Sequence, residues 1–334
     1  MHRKRLTYLF ALLGIGTALA FFLYRPHWQS HTSPFPIAIS RMDVPHSGLL
    51  HIAEAKGFFT EEGLAAIMRT SSTGYEAIQE LLRGETDVGV AAETPIAKTL
   101  AEGKQIKVIA TIFTSSMNVG IVARKDRGIT EPQDLKGKRI GVVFGTATHY
   151  MLETFLAFHR IPVDAVTIVA TKPEALEADL TSGELDAAAT WNPHLTQVQQ
   201  QLGGNAQTFY PDKFYAETYN LVVRPDYLSK KRETVDRLLR ALLKAESFAS
   251  SHPNEANRII ASASGADPSP QRGSREPLTY ELSLKQSLLL ATENEVNWHF
   301  RRGLVQEGPF PDILNAFAPE PLRALKPSGV SILK

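Results

Sequence analysis

Short apolar runs alternate with amphipathic segments along most of the chain. The apolar runs are typical of buried strands, and the first five strands are predicted at residues 36–40, 65–68, 88–91, 106–112 and 119–122. The segments between them show helical periodicity, with apolar side chains recurring on one face. Strands that alternate with helices in this way predict an α/β chain built on parallel sheets. In such sheets, ligands bind beyond the carboxyl ends of the strands.

One segment of the chain is repeated. Residues 81–90 (LLRGETDVGV) and residues 180–189 (LTSGELDAAA) share Leu, Gly, Glu and Asp at the same offsets. Each copy ends a predicted helix, turns at a glycine and enters a strand, and a proline follows each strand closely. We interpret the repeat as two lobes of similar topology whose equivalent loops face each other.

Residues 138–150 (KRIGVVFGTATHY) form the stretch with the clearest chemistry. They predict a short buried strand, a turn at Gly145 and a helix that ends before Pro162. A helix start offers unbonded N–H groups and the positive end of the helix dipole, and Thr146 and Thr148 add hydroxyl groups. The turn at residues 145–148 is therefore a candidate anion seat. The alternative is an ordinary strand-to-helix connection with a threonine N-cap.

The composition narrows the function classes. The chain has 334 residues, enough for two domains, and a net charge of +1, which argues against bulk nucleic-acid binding. It contains no cysteine, which excludes a cysteine nucleophile, a disulfide framework and cysteine-ligated zinc. The histidines show no metal-binding spacing. We therefore expect no catalytic residue, metal or cofactor, and a protein that is not an enzyme.

The N-terminus predicts an exported protein. A basic segment at residues 2–5 precedes residues 6–24, which carry no charge and are mostly apolar. This pattern fits either a cleaved signal peptide or a single membrane anchor, because Ala18-Leu19-Ala20 resembles a cleavage site but the apolar run continues past it. Both alternatives place the rest of the chain in the periplasm or another extracytoplasmic space, anchored in the inner membrane if residues 6–24 are retained.

Several motifs resemble the periplasmic substrate-binding proteins of the nitrate, taurine and alkanesulfonate import systems. The motifs are residues 54–59 (EAKGFF), 62–64 (EGL), 134–140 (DLKGKRI), 145–150 (GTATHY) and 183–193 (GELDAAATWNP). The segment 145–150 resembles the taurine and sulfonate branch closely. The resemblance covers roughly residues 36–325.

The resemblance implies a two-lobe, type II periplasmic-binding-protein fold. Each lobe would be a mostly parallel sheet flanked by helices, with the ligand cleft between the lobes and closure by hinge motion. The expected segments are residues 1–35 (signal peptide or anchor plus linker), 36–122 (first lobe), 123–221 (second lobe) and 222–334 (first lobe, second part, and C-terminal tail), with crossings near 122–125 and 220–224.

The resemblance also places ligand-binding residues on the loops that follow the strands. The candidates are Met42, Asp43, His46, Thr73, Gly74, Glu93, Thr94, Ser116, Asn118, Gly145, Thr146, Ala147, Thr148, His149, Trp191, Asn192 and Tyr219.

Some of these candidates have distinct expected roles. In the family, the turn at residues 145–148 presents backbone N–H groups and a hydroxyl to a sulfonate or comparable group. Trp191 would form a wall of the cleft, with core packing as the alternative. Glu93 would suit a ligand amine and repel a bare anion, and the alternative is a glutamate that complements the dipole of a helix start. His149 could donate to the anion or pack beside the seat.

The function implied by the resemblance is that of a monomeric solute-binding component of an ABC importer. It would bind a small sulfonate, a taurine-like molecule or a related organic anion and deliver it to a permease driven by a separate ATPase. One alternative is a membrane-anchored ligand-sensing module, if residues 6–24 are retained. Another is a thiamine-pyrimidine-precursor binding protein or a synthase-like relative, although the export segment and the lack of cysteine count against a synthase.

Overall fold

The computed structural model describes residues 34–211, 214–265, 279–306 and 308–333. The candidate signal peptide or anchor at residues 6–24 lies outside the described residues. Within the described ranges, no helix is both long and apolar enough to cross a membrane.

In the described ranges, ten strands form two five-stranded sheets. The strands are β1 (Phe35–Arg41), β2 (Leu64–Thr70), β3 (Val88–Ala92), β4 (Lys107–Ser115), β5 (Val119–Arg124), β6 (Arg139–Val142), β7 (Thr167–Ala170), β8 (Ala187–Trp191), β9 (Ala206–Phe209) and β10 (Glu217–Val223). The strand orders are β2-β1-β3-β10-β4 and β7-β6-β8-β5-β9. In each sheet only the fourth strand, β10 or β5, runs antiparallel to its neighbours.

Helices flank both sheets. The helices of the described residues are α1 (Gly48–Ala55), α2 (Phe58–Glu61), α3 (Gly74–Arg83), α4 (Glu93–Ala101), α5 (Ala147–Phe158), α6 (Leu176–Ser182), α7 (His194–Leu202), α8 (Pro225–Lys230), α9 (Arg232–Ser251), α10 (Pro253–Ser264), α11 (Gln286–Arg301) and α12 (Glu320–Leu325). The predicted α/β architecture of two mostly parallel sheets, each with its own apolar core, is confirmed.

The internal repeat has the same structural role in both lobes. The Asp87 carboxylate accepts a hydrogen bond from the N–H of Ala38 on β1, and the Asp186 carboxylate accepts one from the N–H of Arg139 on β6, both at 2.9 Å. In each sheet the accepting aspartate leads into the central strand, β3 or β8, and the donor lies on the strand beside it. The repeated aspartate therefore ties the central strand to its neighbour.

The crossings between the sheets lie earlier in the chain than predicted. The first falls at residues 116–118, between β4 and β5, and the second lies between the end of β9 at Phe209 and the start of β10 at Glu217. Residues 119–122 thus belong to the second sheet and residues 217–221 to the first, which corrects the expected segment bounds. The sequence does not show which sheet each of these apolar runs joins, because a buried strand has the same apolar pattern in either sheet.

Candidate functional site

A cavity of about 160 Å³ lies between the two sheets. It sits at the carboxyl ends of the parallel strands, because its lining includes residues that end or follow β1, β3, β6 and β8, as expected for this class of sheet. These residues are Met42, Ala92, Val143 and Trp191. A cavity of roughly 150 Å³ holds a molecule the size of benzene, so a ligand here is small.

The structure brings most of the predicted site residues to this cavity. Those that line it are Met42, His46, Thr73, Gly74, Gly145, Thr146, Ala147, Thr148, Trp191 and Tyr219. The candidates outside its lining are Asp43, Glu93, Thr94, Ser116, Asn118, His149 and Asn192. Sequence reasoning missed the lining residues Tyr75, Ala92, Pro95, Lys98, Val143, Phe144 and Glu217.

Three helices begin at the cavity. They are α3 at Gly74, α4 at Glu93 and α5 at Ala147, and residues of the first turn of each line the cavity. Each helix start carries the positive end of its dipole, so their combined field favours an anion. At the start of α3, a Cβ on Gly74 would lie only 3.0 Å from the Cβ of Ala91, so glycine permits this close packing.

The start of α5 is not capped by its own N-cap residue. Thr146 occupies the N-cap position, but its side chain makes no capping hydrogen bond. Its hydroxyl donates instead to the Val143 carbonyl, at 2.7 Å. The amides of Ala147 and Thr148 have no carbonyl of their own helix to bind. Thr146 thus takes the N-cap position of the alternative interpretation without its capping bond, and these amides remain as donors at the cavity wall.

The threonine hydroxyls differ from the amides. The oxygens of Thr146 and Thr148 lie 2.9 Å apart. Because the single hydroxyl proton of Thr146 goes to Val143, Thr148 is the donor in this pair. Both hydroxyl protons are thus used within the turn, and an anion would rely on backbone amides rather than on hydroxyl donors.

The start of α3 is capped at one amide. At α3, the Thr73 hydroxyl accepts a hydrogen bond from the Glu76 amide at 3.1 Å. This is the capping arrangement that α5 lacks. The cap uses this amide only, and the amides of Gly74 and Tyr75 have no carbonyl of their own helix to bind, so the start of α3 offers a second set of donors at the cavity.

Lys98 is the one lysine or arginine among the described residues that line the cavity. Its ammonium lies 3.7 Å from the centre of the Tyr75 ring and 3.6 Å from Glu102 Oε1. Tyr75 donates its hydroxyl to the same carboxylate. Lys98 is therefore held at the cavity with its charge partly balanced by Glu102.

A buried hydrogen-bond network joins the two crossing segments beneath the cavity. Asn118, in the first crossing, donates its amide hydrogens to His46 Nδ1, at 3.2 Å, and to the carboxyl of Glu217, at the start of β10. Burial lowers the pKa of His46 to about 3, so the imidazole is neutral and can accept at Nδ1. Asn118 therefore acts behind the lining, where it orients His46 and Glu217.

Glu93 does not reach the cavity, contrary to the prediction of a ligand-facing carboxylate. It accepts hydrogen bonds from the Tyr215 hydroxyl and, at 2.8 Å, from the N–H and hydroxyl of Thr218. These partners come from the return crossing and β10, which cover the start of α4. Glu217, the first residue of β10, lines the cavity instead.

Three buried carboxyl groups lie near one another at this end of the cleft. They belong to Glu93, Glu217 and Glu295, the last on α11. Burial raises the pKa of all three, and the charge of Glu93 adds to the increase for Glu217 and Glu295. The pKa of Glu217 reaches about 8, so its carboxyl is mostly protonated at neutral pH.

The remaining candidates make contacts outside the lining. Asp43 accepts from the Thr70 hydroxyl at 2.7 Å, and Asn192 accepts from the Thr196 hydroxyl at 2.7 Å. Thr94 is buried beside Glu295, and Ser116 is buried in the first crossing. These positions give them a role in holding loops rather than in lining the cavity.

Comparison with protein families identifies the family of this chain. The profile of the NMT1/THI5-like family matches residues 44–256, which is more than half of the chain. The chain belongs to the NMT1/THI5-like family. The matched range includes both crossings, all three helix starts at the cavity and the anion seat.

Relatives of this NMT1/THI5-like chain include binding proteins and a synthase. The taurine-binding periplasmic protein of Escherichia coli is 27% identical over 197 residues, which cover 58% of this chain. A 4-amino-5-hydroxymethyl-2-methylpyrimidine phosphate synthase of Aspergillus parasiticus is 27% identical over 144 residues, or 43% of this chain. The chain spans less than two thirds of the length of the relatives it matches, 61% and 41% for these two.

A solved structure shows the same fold. The alkanesulfonate-binding protein SsuA of Xanthomonas axonopodis pv. citri, bound to MOPS, superposes with a TM-score of 0.73 at 18% sequence identity. The superposition covers 86% of this chain and 99% of SsuA. The NMT1/THI5-like chain therefore has the predicted periplasmic-binding-protein fold.

Proposed function

We propose that this chain is the extracytoplasmic solute-binding component of an ABC importer and that it binds a small aminosulfonate in the cavity between the lobes. The observation that carries the proposal is the uncapped start of α5, whose amides lie at a cavity on which two further helix starts converge. The sulfonate group would bind the amides of Ala147 and Thr148. Lys98 would add a positive charge to the same cavity.

Glu217 supports the choice of an aminosulfonate over a plain sulfonate. Its carboxyl lines the same cavity as the anion seat. A ligand that carries both a sulfonate and an ammonium group can therefore place the sulfonate at the seat and the ammonium at Glu217. With a pKa of about 8, Glu217 must lose a proton at pH 7 to pair with an ammonium, which costs about 1.4 kcal/mol per pKa unit. An ion pair in a buried site offsets a cost of that size. The similarity to a taurine-binding protein agrees with this choice.

The proposed role is binding and not catalysis. His46 is the histidine among the described lining residues, and its imidazole is neutral. Its Nδ1 accepts a hydrogen bond from Asn118, so this nitrogen is not available to act as a general base. A permease and its ATPase are the proposed partners, and the chain is proposed to work as a monomer. Retention of residues 6–24 as an anchor would fit the same binding role at the membrane surface.

An aminopyrimidine is the second candidate ligand. Four aromatic side chains line the cavity, those of Tyr75, Phe144, Trp191 and Tyr219, and a planar ring could stack on one of them. Such a ligand would use Glu217 for an exocyclic amine but would leave the amides of α5 unused. An aminosulfonate is favoured because it can bind both Glu217 and the amides of α5.

A ligand panel tests the proposal directly. The full-length chain would be melted with taurine, ethanesulfonate, nitrate, bicarbonate, small carboxylates and a hydroxymethyl aminopyrimidine. A ligand at 100 times its Kd adds about 2.7 kcal/mol to the free energy of unfolding, which gives a clear shift in Tm. We expect the largest shift with taurine. A shift with the pyrimidine alone would contradict the proposal and favour a pyrimidine-precursor binding protein.

Taurine affinity is expected to rise with pH between 6 and 8. Pairing with the ammonium requires ionised Glu217, so binding releases up to one proton, and the affinity rises by at most about tenfold per pH unit. Ethanesulfonate, which lacks the amine, should show no such dependence. Calorimetry at three pH values measures both ligands. Parallel pH profiles for the two would refute the role of Glu217.

Lys98→Met is expected to weaken sulfonate binding about tenfold, because it removes a positive charge from a half-buried site while keeping the length of the side chain. The affinity of the variant should also depend less on salt. Lys104→Met is the matched control, since Lys104 is exposed and follows the same helix. Equal affinities for the two variants would remove Lys98 from the site.

A further inference from the structure

Glu153 of α5 is the meeting point of three other side chains. Its Oε2 accepts hydrogen bonds from Trp298 Nε1 at 2.6 Å and from Arg302 Nε at 2.7 Å. Its Oε1 lies 3.3 Å from His149 Nε2, one turn earlier on the same helix. The Glu153 side chain is 9% exposed, so these contacts replace water almost completely.

The partners of Glu153 come from both lobes. Glu153 and His149 lie on α5, which packs on the second sheet. Trp298 lies in the last turn of α11 and Arg302 follows it, and α11 packs against α4 of the first lobe. We call the contact of Glu153 with Trp298 and Arg302 the Glu153 latch.

His149 connects the latch to the anion seat. The Gly145 N–H faces His149 Nδ1 at 3.3 Å, so the ring accepts at Nδ1 and its Nε2 hydrogen points to Glu153. The ring also stacks on Phe144, which lines the cavity, with centroids 4.6 Å apart. A continuous chain of contacts thus runs from the turn at Gly145 through His149 and Glu153 to Trp298 of the other lobe.

The latch depends on the arrangement of the lobes. Burial acts to raise the pKa of Glu153, but the hydrogen bonds from His149, Trp298 and Arg302 outweigh it and hold the pKa below its ordinary value. An ionised, buried carboxylate that loses two of its donors is left with an uncompensated charge. If the lobes separate, Trp298 and Arg302 leave Glu153, and only His149 remains.

We propose that Glu153 is a positioning residue that couples closure of the two lobes to the geometry of the anion seat. With the latch formed, Glu153 fixes the His149 ring, and the ring in turn orients the Gly145 amide and Phe144. With the latch broken, the ring loses its fixed acceptor and the turn at residues 145–148 relaxes. The proposal extends the proposed function, since it takes the anion seat as the ligand site.

The first test uses Trp298→Phe and Arg302→Met, which weaken the latch without altering the seat residues. We expect taurine to dissociate about tenfold faster from each variant in stopped-flow measurements, with association changed less, as is usual when a bond to a charged group is lost. Arg301→Met is the matched control, because Arg301 is the exposed neighbour of Arg302. Unchanged dissociation rates in folded latch variants would overturn the proposal.

The second test needs no ligand. The chain has no cysteine, so Lys104→Cys on the first lobe and Lys136→Cys on the second provide the only two sites for spin labels. We expect Trp298→Phe and Arg302→Met to broaden the distance distribution between the labels, and Arg301→Met to leave it unchanged. If the latch variants broaden the distribution but the protein binds no sulfonate, the role of the latch in holding the lobes is supported and the proposed ligand is refuted. An unchanged distribution would overturn the latch itself.

Discussion

Thr146→Asp is expected to abolish sulfonate binding while leaving the protein as stable as the wild type or more so. Aspartate is among the best N-cap residues, and its carboxylate would accept hydrogen bonds from the first-turn amides of α5 that Thr146 leaves uncapped. The same carboxylate would then occupy the anion seat and repel a ligand anion. We expect affinity to fall by at least about 100-fold, or ~2.8 kcal/mol.

Two neutral variants separate charge from capping. Thr146→Asn also caps the helix, but without a charge, so it should weaken binding less than Thr146→Asp. Thr146→Ser keeps the hydroxyl bond to Val143 and should bind as the wild type does. Calorimetric titrations and thermal melts of the three variants give both quantities. Retained sulfonate affinity in Thr146→Asp would place the ligand elsewhere.

Glu217→Gln is expected to make the protein markedly more stable at alkaline pH and to change its stability little at pH 4. The folded-state pKa of Glu217 is raised to about 8 from an ordinary value of 4.5, by burial and by the charge of Glu93. Between these values the folded state holds a proton that the unfolded state has lost, so the free energy of unfolding falls as pH rises from about 4.5 to about 8. Glutamine removes that loss, which amounts to a few kcal/mol above pH 8.

Urea unfolding at pH values from 4 to 9 measures this effect. The stability of the variant should decline less steeply with pH than that of the wild type, by up to one proton, and not become flat, because the pKa values of Glu93 and Glu295 are also raised. Glu184→Gln is the control, since Glu184 is an exposed glutamate. If Glu217→Gln followed the wild-type pH profile, the carboxyl would already be ionised in the folded state.

The sequence predicted those parts of the structure that depend on residues close to one another in the chain. The strand, glycine turn and helix start at residues 138–150 are neighbours in the chain, so their pattern predicted the element and a candidate anion seat, and residues 143–148 line the cavity. Trp191 came from the family resemblance of residues 183–193, and it lies at the end of β8 and lines the cavity. The alternation of strands and helices was sufficient for the fold class.

The contacts that the sequence could not predict join segments that are far apart in the chain. Glu93 looked like a ligand carboxylate until Tyr215 and Thr218 covered it. Glu217 reaches the cavity only because the return crossing ends just before it, and no periodicity marks that point. Lys98 was not among the candidates, because nothing in its local sequence distinguishes it, and only the packing of α4 brings it to the cavity.

The same limit applies to hydroxyl groups. Thr146 and Thr148 were expected to donate to an anion or to cap the helix. Their hydroxyls bind Val143 and each other instead, which follows from the course of the turn and not from residue type. The seat that remains is made of backbone amides, which carry no sequence signal beyond the helix start.

A calorimetric titration of the chain with taurine at pH 7 tests most directly whether the anion seat and Glu217 bind the two ends of one ligand. We predict binding at a single site, with release of up to one proton that is detected as a dependence of the measured heat on the ionisation enthalpy of the buffer. A chain that binds no sulfonate, or that binds taurine without proton release, would contradict the assignment of the anion seat and Glu217 to the two ends of one ligand.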